Sequence, residues 1–341
     1  MAFTYEDGAM VDTDNRGNHI VYTLDDQKRN TKITYGNGDV ERTVYNEENR
    51  IESYTDANGV TTSYTYDEDG NILTETREDG SYARFTYNGL ARPLTSTDYK
   101  GNTTTYTYDA RGNLLTVTDP EGNRTSYGYD ALSRLTAVTD ANGGTTAFRY
   151  QGDSPVPSSI TDGEGNTASY TYDEMYRVLT ETDAEGNTTT HSYNANGWEI
   201  AVETADGGTT VYEFSPAGEV RSITDPMGVT TVFTYDAMHN ILSGTDALGH
   251  TLTYTYDENY NKVTETDAKG NTTTYDYDER NRLIRTTDAL GQETTQTVDG
   301  VGNRLSQTDR RGNTVSYTYD EVLGLPITMT DREGAVTHYG Y

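Results

Sequence analysis

The 341 residues contain no cysteine, which removes disulfides, thiolate nucleophiles and Cys-ligated zinc or iron–sulfur centres from consideration. That absence suits a cytosolic, a bacterial secreted or a surface protein equally well. Ordinary core residues are scarce: 17 Leu, 10 Ile, 20 Val and 5 Phe, with a single Trp. The four aliphatic and phenylalanine types together make up roughly 15% of the chain, and a share below about 20% with a large net charge is the composition of disordered segments. Basic residues are also few, 25 against 55 acidic, giving a formal charge of −30. Such a charge repels phosphate backbones, so nucleic acid is not an expected partner. No uncharged apolar run approaches the roughly 18 residues of a membrane helix, and the first eight residues, MAFTYEDG, have neither the basic nor the apolar region of a secretion signal. Membrane insertion is therefore not expected.

What is abundant opposes the disordered reading. There are 30 tyrosines and 33 glycines, and each Tyr can bury on the order of 150–250 Å². Their placement is periodic. Aligned on the Asp of a T-D-x-x-G-N pattern, anchors fall at 14, 35, 56, 77, 98, 119, 140, 162, 183, 204, 225, 246, 267, 288, 309 and 331. The period is 21 residues, with single-residue insertions before 162 and before 331. The residue three past the anchor is glycine in all sixteen units, from Gly17 to Gly334, and a position that accepts only glycine needs φ > 0 or lacks room for a Cβ. Ten past the anchor stands Tyr in thirteen units, as at Tyr108, Tyr256 and Tyr341, and Asp usually follows it.

Each unit thus holds two turn signals, D-x-x-G and Y-D-x-x-G/N, with strand-forming segments between them. In one clean unit, 102–108 (NTTTYTY) alternates Thr and Tyr, and 113–118 (NLLTVT) supplies an aliphatic partner. No window carries an i, i+3, i+4, i+7 apolar stripe, so helix is not expected. The sequence predicts an all-β chain: about sixteen antiparallel hairpins, or 32 short strands, in a single array over residues 1–341 without a separate catalytic, plug or toxin domain. Because 21 is odd and strand side chains alternate with period 2, one turn of each unit must differ in parity or carry a bulge, for which the invariant glycine is the natural place. On that basis the tyrosines eight and ten past the anchor, such as Tyr106 and Tyr108, line one face as ladders that substitute for a conventional core. A flat ribbon of this many strands would run on the order of 150 Å at about 4.8 Å per strand, so it is expected to coil and stack turns of sheet on one another.

Repeats such as YTYDARGNLLTVTDPEGNRTSYGYD (106–130) and YTYDENYNKVTETDAKGNTTTYDYD (254–278) resemble the YD repeats of Rhs proteins, which also occur in teneurins and in the C components of insecticidal toxin complexes. The resemblance implies a β-strip spiralling into a hollow shell that encloses a polypeptide, commonly a C-terminal toxin, or serves as a cell-surface adhesion body. The self-cleaving region that ends such shells has no counterpart here, since DPEG at 119–122 and DPMG at 225–228 are ordinary repeat turns. Autoproteolysis is not carried over.

Candidate chemistry is thin. About 23 of the 55 acids stand at turn positions, and a carboxylate pair copied sixteen times is structural, whereas glycosidase or aspartyl-protease pairs need two unlike surroundings. Acidic loops at 12–17 (DTDNRG) and 67–70 (DEDG) approach a calcium loop, yet neither completes its pattern. His19, His191, His239, His250 and His338 are scattered without metal-ligand spacing. Trp198, in the place of a usual Asn or Arg, reads as local packing, Gly163-Glu164-Gly165 as a turn, and 151–157 (QGDSPVP) as a longer surface loop. No catalytic, cofactor-binding or metal residue is assigned, and no cofactor is expected. The expected function is a non-enzymatic shell section that encapsulates or displays a polypeptide, such as a basic toxin domain, in a secreted or cell-surface bacterial protein. The alternative is a self-associating extracellular filament or adhesin assembled through exposed edge strands.

Overall fold

The computed structural model describes residues 2–6, 9–320 and 324–340. Met1 and Tyr341, the last tyrosine of the repeat series, lie outside the described residues. Within them there are 33 strands and no helix, all members of one unclosed antiparallel sheet. The chain divides into two compact units, one of residues 1–82, 236–243 and 250–341, the other of residues 83–235 and 244–249.

Both turns of a repeat are built alike. At the first, the Gly101 amide bonds the Asp98 carbonyl (3.0 Å) and the Asp98 amide bonds the Asn102 carbonyl (2.9 Å); Asp109, Gly112 and Asn113 repeat this at the second (3.0 and 2.9 Å). Each is a three-residue loop ending in a left-handed residue, with φ of +87° at Gly101 and +84° at Gly112. Identical loops cannot supply the parity difference that an odd period requires. It comes instead from the strand after the second turn: Thr107 pairs with Thr116 but Tyr108 with Leu114, leaving Leu115 unopposed. Tyr129 with Leu135 and Tyr172 with Val178 show the same shift. The bulge expected at the invariant glycine is the G1 bulge of the first loop; because the second loop carries the same one, the parity difference needs this further bulge on the following strand.

The register sorts side chains onto two faces. One carries Tyr106 opposite Val117, Tyr127 opposite Val138, Phe148 opposite Ile160 and Tyr212 opposite Ile223. The other is a ladder of threonine hydroxyls, with Thr97 to Thr103 at 2.8 Å across the first turn and Thr107 to Thr116 at 2.7 Å across the second. Such cross-strand pairs contribute roughly 0.2–1 kcal/mol each. Among the described residues Ala83 is the single buried hydrophobe, and no side chain is fully enclosed.

The tyrosine ten past the anchor has a specific task. Its hydroxyl donates to the backbone carbonyl fifteen residues earlier, as in Tyr108 to Pro93 (2.9 Å), Tyr150 to Leu135 (2.8 Å) and Tyr235 to Val220 (2.7 Å). Pro93 begins the strand Pro93–Thr97, whose ladder with Thr103–Tyr108 covers only residues 95–97. Its carbonyl lies past the end of that ladder, and the phenol satisfies it. Tyr108→Phe is expected to cost about 1 kcal/mol, the worth of one hydrogen bond. In a repeat array the loss stays local, so hydrogen exchange should quicken in 93–108 and not in distant repeats.

Glycine at the first turn answers a conformational need and not crowding, since a Cβ on Gly101 would meet nothing within 4 Å. Gly101→Ala is expected to destabilise its hairpin by about 1–2 kcal/mol through the left-handed backbone alone. Ala91 already sits at φ +58° in a second turn, and Ala91→Gly should shift stability in the opposite direction. Denaturant unfolding of the two variants checks both signs.

Candidate functional site

The polar chemistry of this chain collects on the two rims of the sheet, where the turns lie. At a first-rim turn, one oxygen of Asp98 accepts from the amides of Lys100 (2.9 Å) and Asn102 (2.8 Å) while the other accepts from the Asn102 side chain (2.9 Å). Asp109, Asn113 and the Arg111 amide reproduce the set on the second rim. The Asn102 side-chain amide, with the backbone amides, holds the Asp98 carboxyl below its ordinary 3.8, and Asn187 does the same for Asp183. There the donors are the side chain (2.8 Å) and the backbone amide (2.8 Å) of Asn187.

A carboxyl depressed in the fold contributes stability that is fully present above its unfolded value and is lost as pH falls through the folded one. Hairpin protection is therefore expected to hold from neutral pH to about 5 and to decline only below 3.8. Circular dichroism and hydrogen exchange along an acid titration measure it, and a loss of protection centred near neutral pH would contradict the assignment.

Where Arg replaces the Asn that follows the second turn, it ties neighbouring turns together. Arg134 pairs with Asp130 (2.7 Å), donates to the Gly152 and Ser154 carbonyls (2.7 and 2.8 Å) and covers the Tyr150 ring at 4.5 Å. Arg177 covers Tyr193 at 4.6 Å in the same way. Trp198 occupies this position too, packing on Phe214 with ring centroids 5.2 Å apart and close over Gly218, which is the local packing its sequence context suggested. The segment 151–157 is a second turn only one residue longer than usual, closing through the Ser154 amide on the Gln151 carbonyl (3.1 Å).

In the first unit the two rims meet. First-rim turns at 14–18, 35–39 and 56–60 lie against second-rim turns at 257–261, 278–282 and 299–303, some 240 residues further along the chain. The Asn15 amide donates to Asn259 Oδ1 (2.9 Å), and the Asn259 side chain donates back to Asp14 (2.6 Å). Arg16 donates to the Asp278 carbonyl (2.7 Å) and Asn281 Oδ1 (2.8 Å) and lies 3.5 Å from Asp257. Arg280 bonds Asp39 (3.0 Å), reaches Glu41 at 3.7 Å, stacks 3.9 Å over the Tyr35 ring and donates to the Gly300 carbonyl. Asn58 donates to Asp299 (3.1 Å). At Asp14 burial raises the pKa, but bonds from Asn18 and Asn259 outweigh it and hold the carboxyl below its ordinary value.

At this seam the turn carboxylates do not all face solvent. They are partly used, facing arginines and asparagines of the opposite rim. The seam also explains a break in the repeat, because Tyr35 stands where Asp is usual and supplies the ring under Arg280. Two cavities flank the contact, one of about 430 Å³ beside Asp56, Arg77, Asp299 and Tyr317, the other of about 320 Å³ beside Asp12, His19, Tyr35 and Arg280. Among the described residues no three His, Asp or Glu side chains group as a metal site. His191 pairs with Glu199 (2.6 Å), and His19 bonds Thr13 (2.9 Å). The acidic loop at 12–17 is the seam turn itself, its Asp14 engaged by Asn18 and Asn259.

The RHS Repeat family model matches residues 45–82, 87–124, 108–146, 129–152, 157–189, 177–210, 214–245, 239–272 and 263–294, which together cover most of the chain. No curated protein matches. Among solved structures, the crystal structure of TcdB2-TccC3-Cdc42 is similar at a TM-score of 0.75 and 17% identity, over 93% of this chain and 20% of that one. The crystal structure of TcdB2-TccC3 is similar at 0.71 and 13% identity, over 95% and 22%. A Photorhabdus luminescens Tc holotoxin pore is similar at 0.56 and 15% identity, over 96% and 23%. These likenesses concern the fold, and the chain spans about a fifth of the length of the structures it matches.

Proposed function

This chain belongs to the RHS repeat family, and from that premise we propose that it is a section of a β-shell that encloses or displays a polypeptide, as a non-catalytic scaffold in a secreted or cell-surface bacterial protein. The observation that carries the reading is the sheet itself: among the described residues every strand belongs to one sheet, no helix packs on it, and Ala83 is the single buried hydrophobe. Repetition supports it, because the recurrent carboxylates serve to close turns, as at Asp98 and Asp109, or to join the rims, as at Asp14 and Asp39. The domain reading follows from the same repetition, one array along the whole chain. The TcdB2-TccC3 structures that share the fold carry their own partners; for this chain the partner chemistry is inferred from charge. With a formal charge of −30, a basic polypeptide is the complementary cargo.

Protease protection tests the proposal. A basic reporter polypeptide fused to the C-terminus should be cut more slowly than the same reporter added free, and the protection should weaken as salt rises. A fused reporter digested at the free rate in low salt would overturn the reading.

A further inference from the structure

Turn tips are the positions whose side chains the hairpin does not specify. The tip residue gives its backbone amide to the turn aspartate, Met227 to Asp225 (2.9 Å), Leu248 to Asp246 (2.9 Å) and Leu132 to Asp130 (2.8 Å), whatever side chain it bears. Tip chemistry is therefore free to serve contacts between rims. At the seam of the first unit the tips are Arg16, Asn37 and Asn58 on one rim and Asn259, Arg280 and Val301 on the other, five of the six polar. Away from the seam exposed apolar tips occur in both units, Leu290 of the first being 83% exposed. On the first rim of the second unit Met227 and Leu248 are 87% and 83% exposed, in adjoining repeats and beside Pro226 and Val229, and on its second rim Leu132 is 56% exposed.

From this we propose that the apolar first-rim tips Met227 and Leu248 form an interface for the second rim of another copy of this chain, docked as the seam docks its own rims. The seam fixes the polarity: first rim against second rim, with repeats advancing in the same order on both. In that order, setting Met227 on Leu132 of the other copy brings Asp206 opposite Arg111 one repeat earlier. Leu248 then faces the 151–154 turn, whose tip is Asp153 with the exposed Pro155 just beyond it. Met227 meets the apolar tip Leu132 and the Asp206 carboxylate meets the Arg111 guanidinium, so the register is complementary at these two positions. Because the two surfaces differ, the contact is heterologous and does not close on itself, and copies add head to tail. This surface is distinct from the edge strands, and the proposal stands apart from the question of what the sheet encloses.

Sedimentation velocity over about 1–300 µM, in about 0.5 M salt to screen the mutual repulsion of acidic copies, decides it. The chain should sediment faster as concentration rises. Met227→Asp with Leu248→Asp, and separately Leu132→Asp, should each weaken association at least tenfold while leaving the circular dichroism unchanged, since these tips are exposed. Each variant keeps one intact rim, so mixing the two should restore a one-to-one complex that grows no further. A wild-type chain that stays monomeric across the range overturns the proposal, as does association that both variants leave untouched.

Discussion

Alanine at position 300 is expected to part the seam while every hairpin stays closed. Gly300 does not hold a left-handed backbone, so its conformation is open to any residue. What forbids a side chain is proximity: a Cβ there would lie 2.6 Å from the Ala57 carbonyl and 2.8 Å from Asn58 Oδ1. Since the obstacle is backbone on the opposing rim, relief requires the rims to separate, at a cost of about 1–3 kcal/mol by analogy with overpacked interiors. The Asn15 amide, bonded across the seam to Asn259, reports the change. Its exchange should quicken in Gly300→Ala while the amides of Thr103–Tyr108, in the other unit, keep their protection. Unchanged exchange at Asn15 would show that the rims are not in the contact described.

Arg280→Glu should act more strongly at the same place. The guanidinium is about four-fifths buried among Asp39, Glu41 and the Tyr35 ring, and a carboxylate put there faces two others with no cation between them. Leaving buried charges uncompensated costs on the order of 3 kcal/mol or more. The reversal also removes the donor to the Gly300 carbonyl. Arg280→Lys is the control, keeping the charge but losing the planar fork and its stacking, and should fall between wild type and Glu. Opening is expected at the turns 14–18 and 257–261 in hydrogen exchange, and raising salt should rescue the reversal in part.

Much of this architecture is readable in the sequence because the constraint repeats. Sixteen glycines at one offset declare a left-handed turn, and alternating Thr and Tyr declare strands, so element type and count follow from local chemistry. The second bulge, on the strand after the second turn, is not readable, because the period gives only the parity of a repeat and residues such as Leu115 bear no local mark of being unopposed. The seam is non-local, joining residues some 240 apart, and no repeat pattern encodes it. A signal is present all the same in the departures from the pattern. Tyr35 in place of Asp, and arginine at the tips Arg16 and Arg280, are the residues that meet. The tyrosine hydroxyl's acceptor is equally hidden, since only the register reveals that the Pro93 carbonyl extends past its ladder.

Turns, cross-strand ladders and a polar seam hold this sheet, with no apolar core among the described residues. The heat-capacity change of unfolding measures apolar burial most directly. Globular proteins give about 12–15 cal/mol/K per residue. A coreless strip predicts a calorimetric value below that range, and a value within it would contradict the claim.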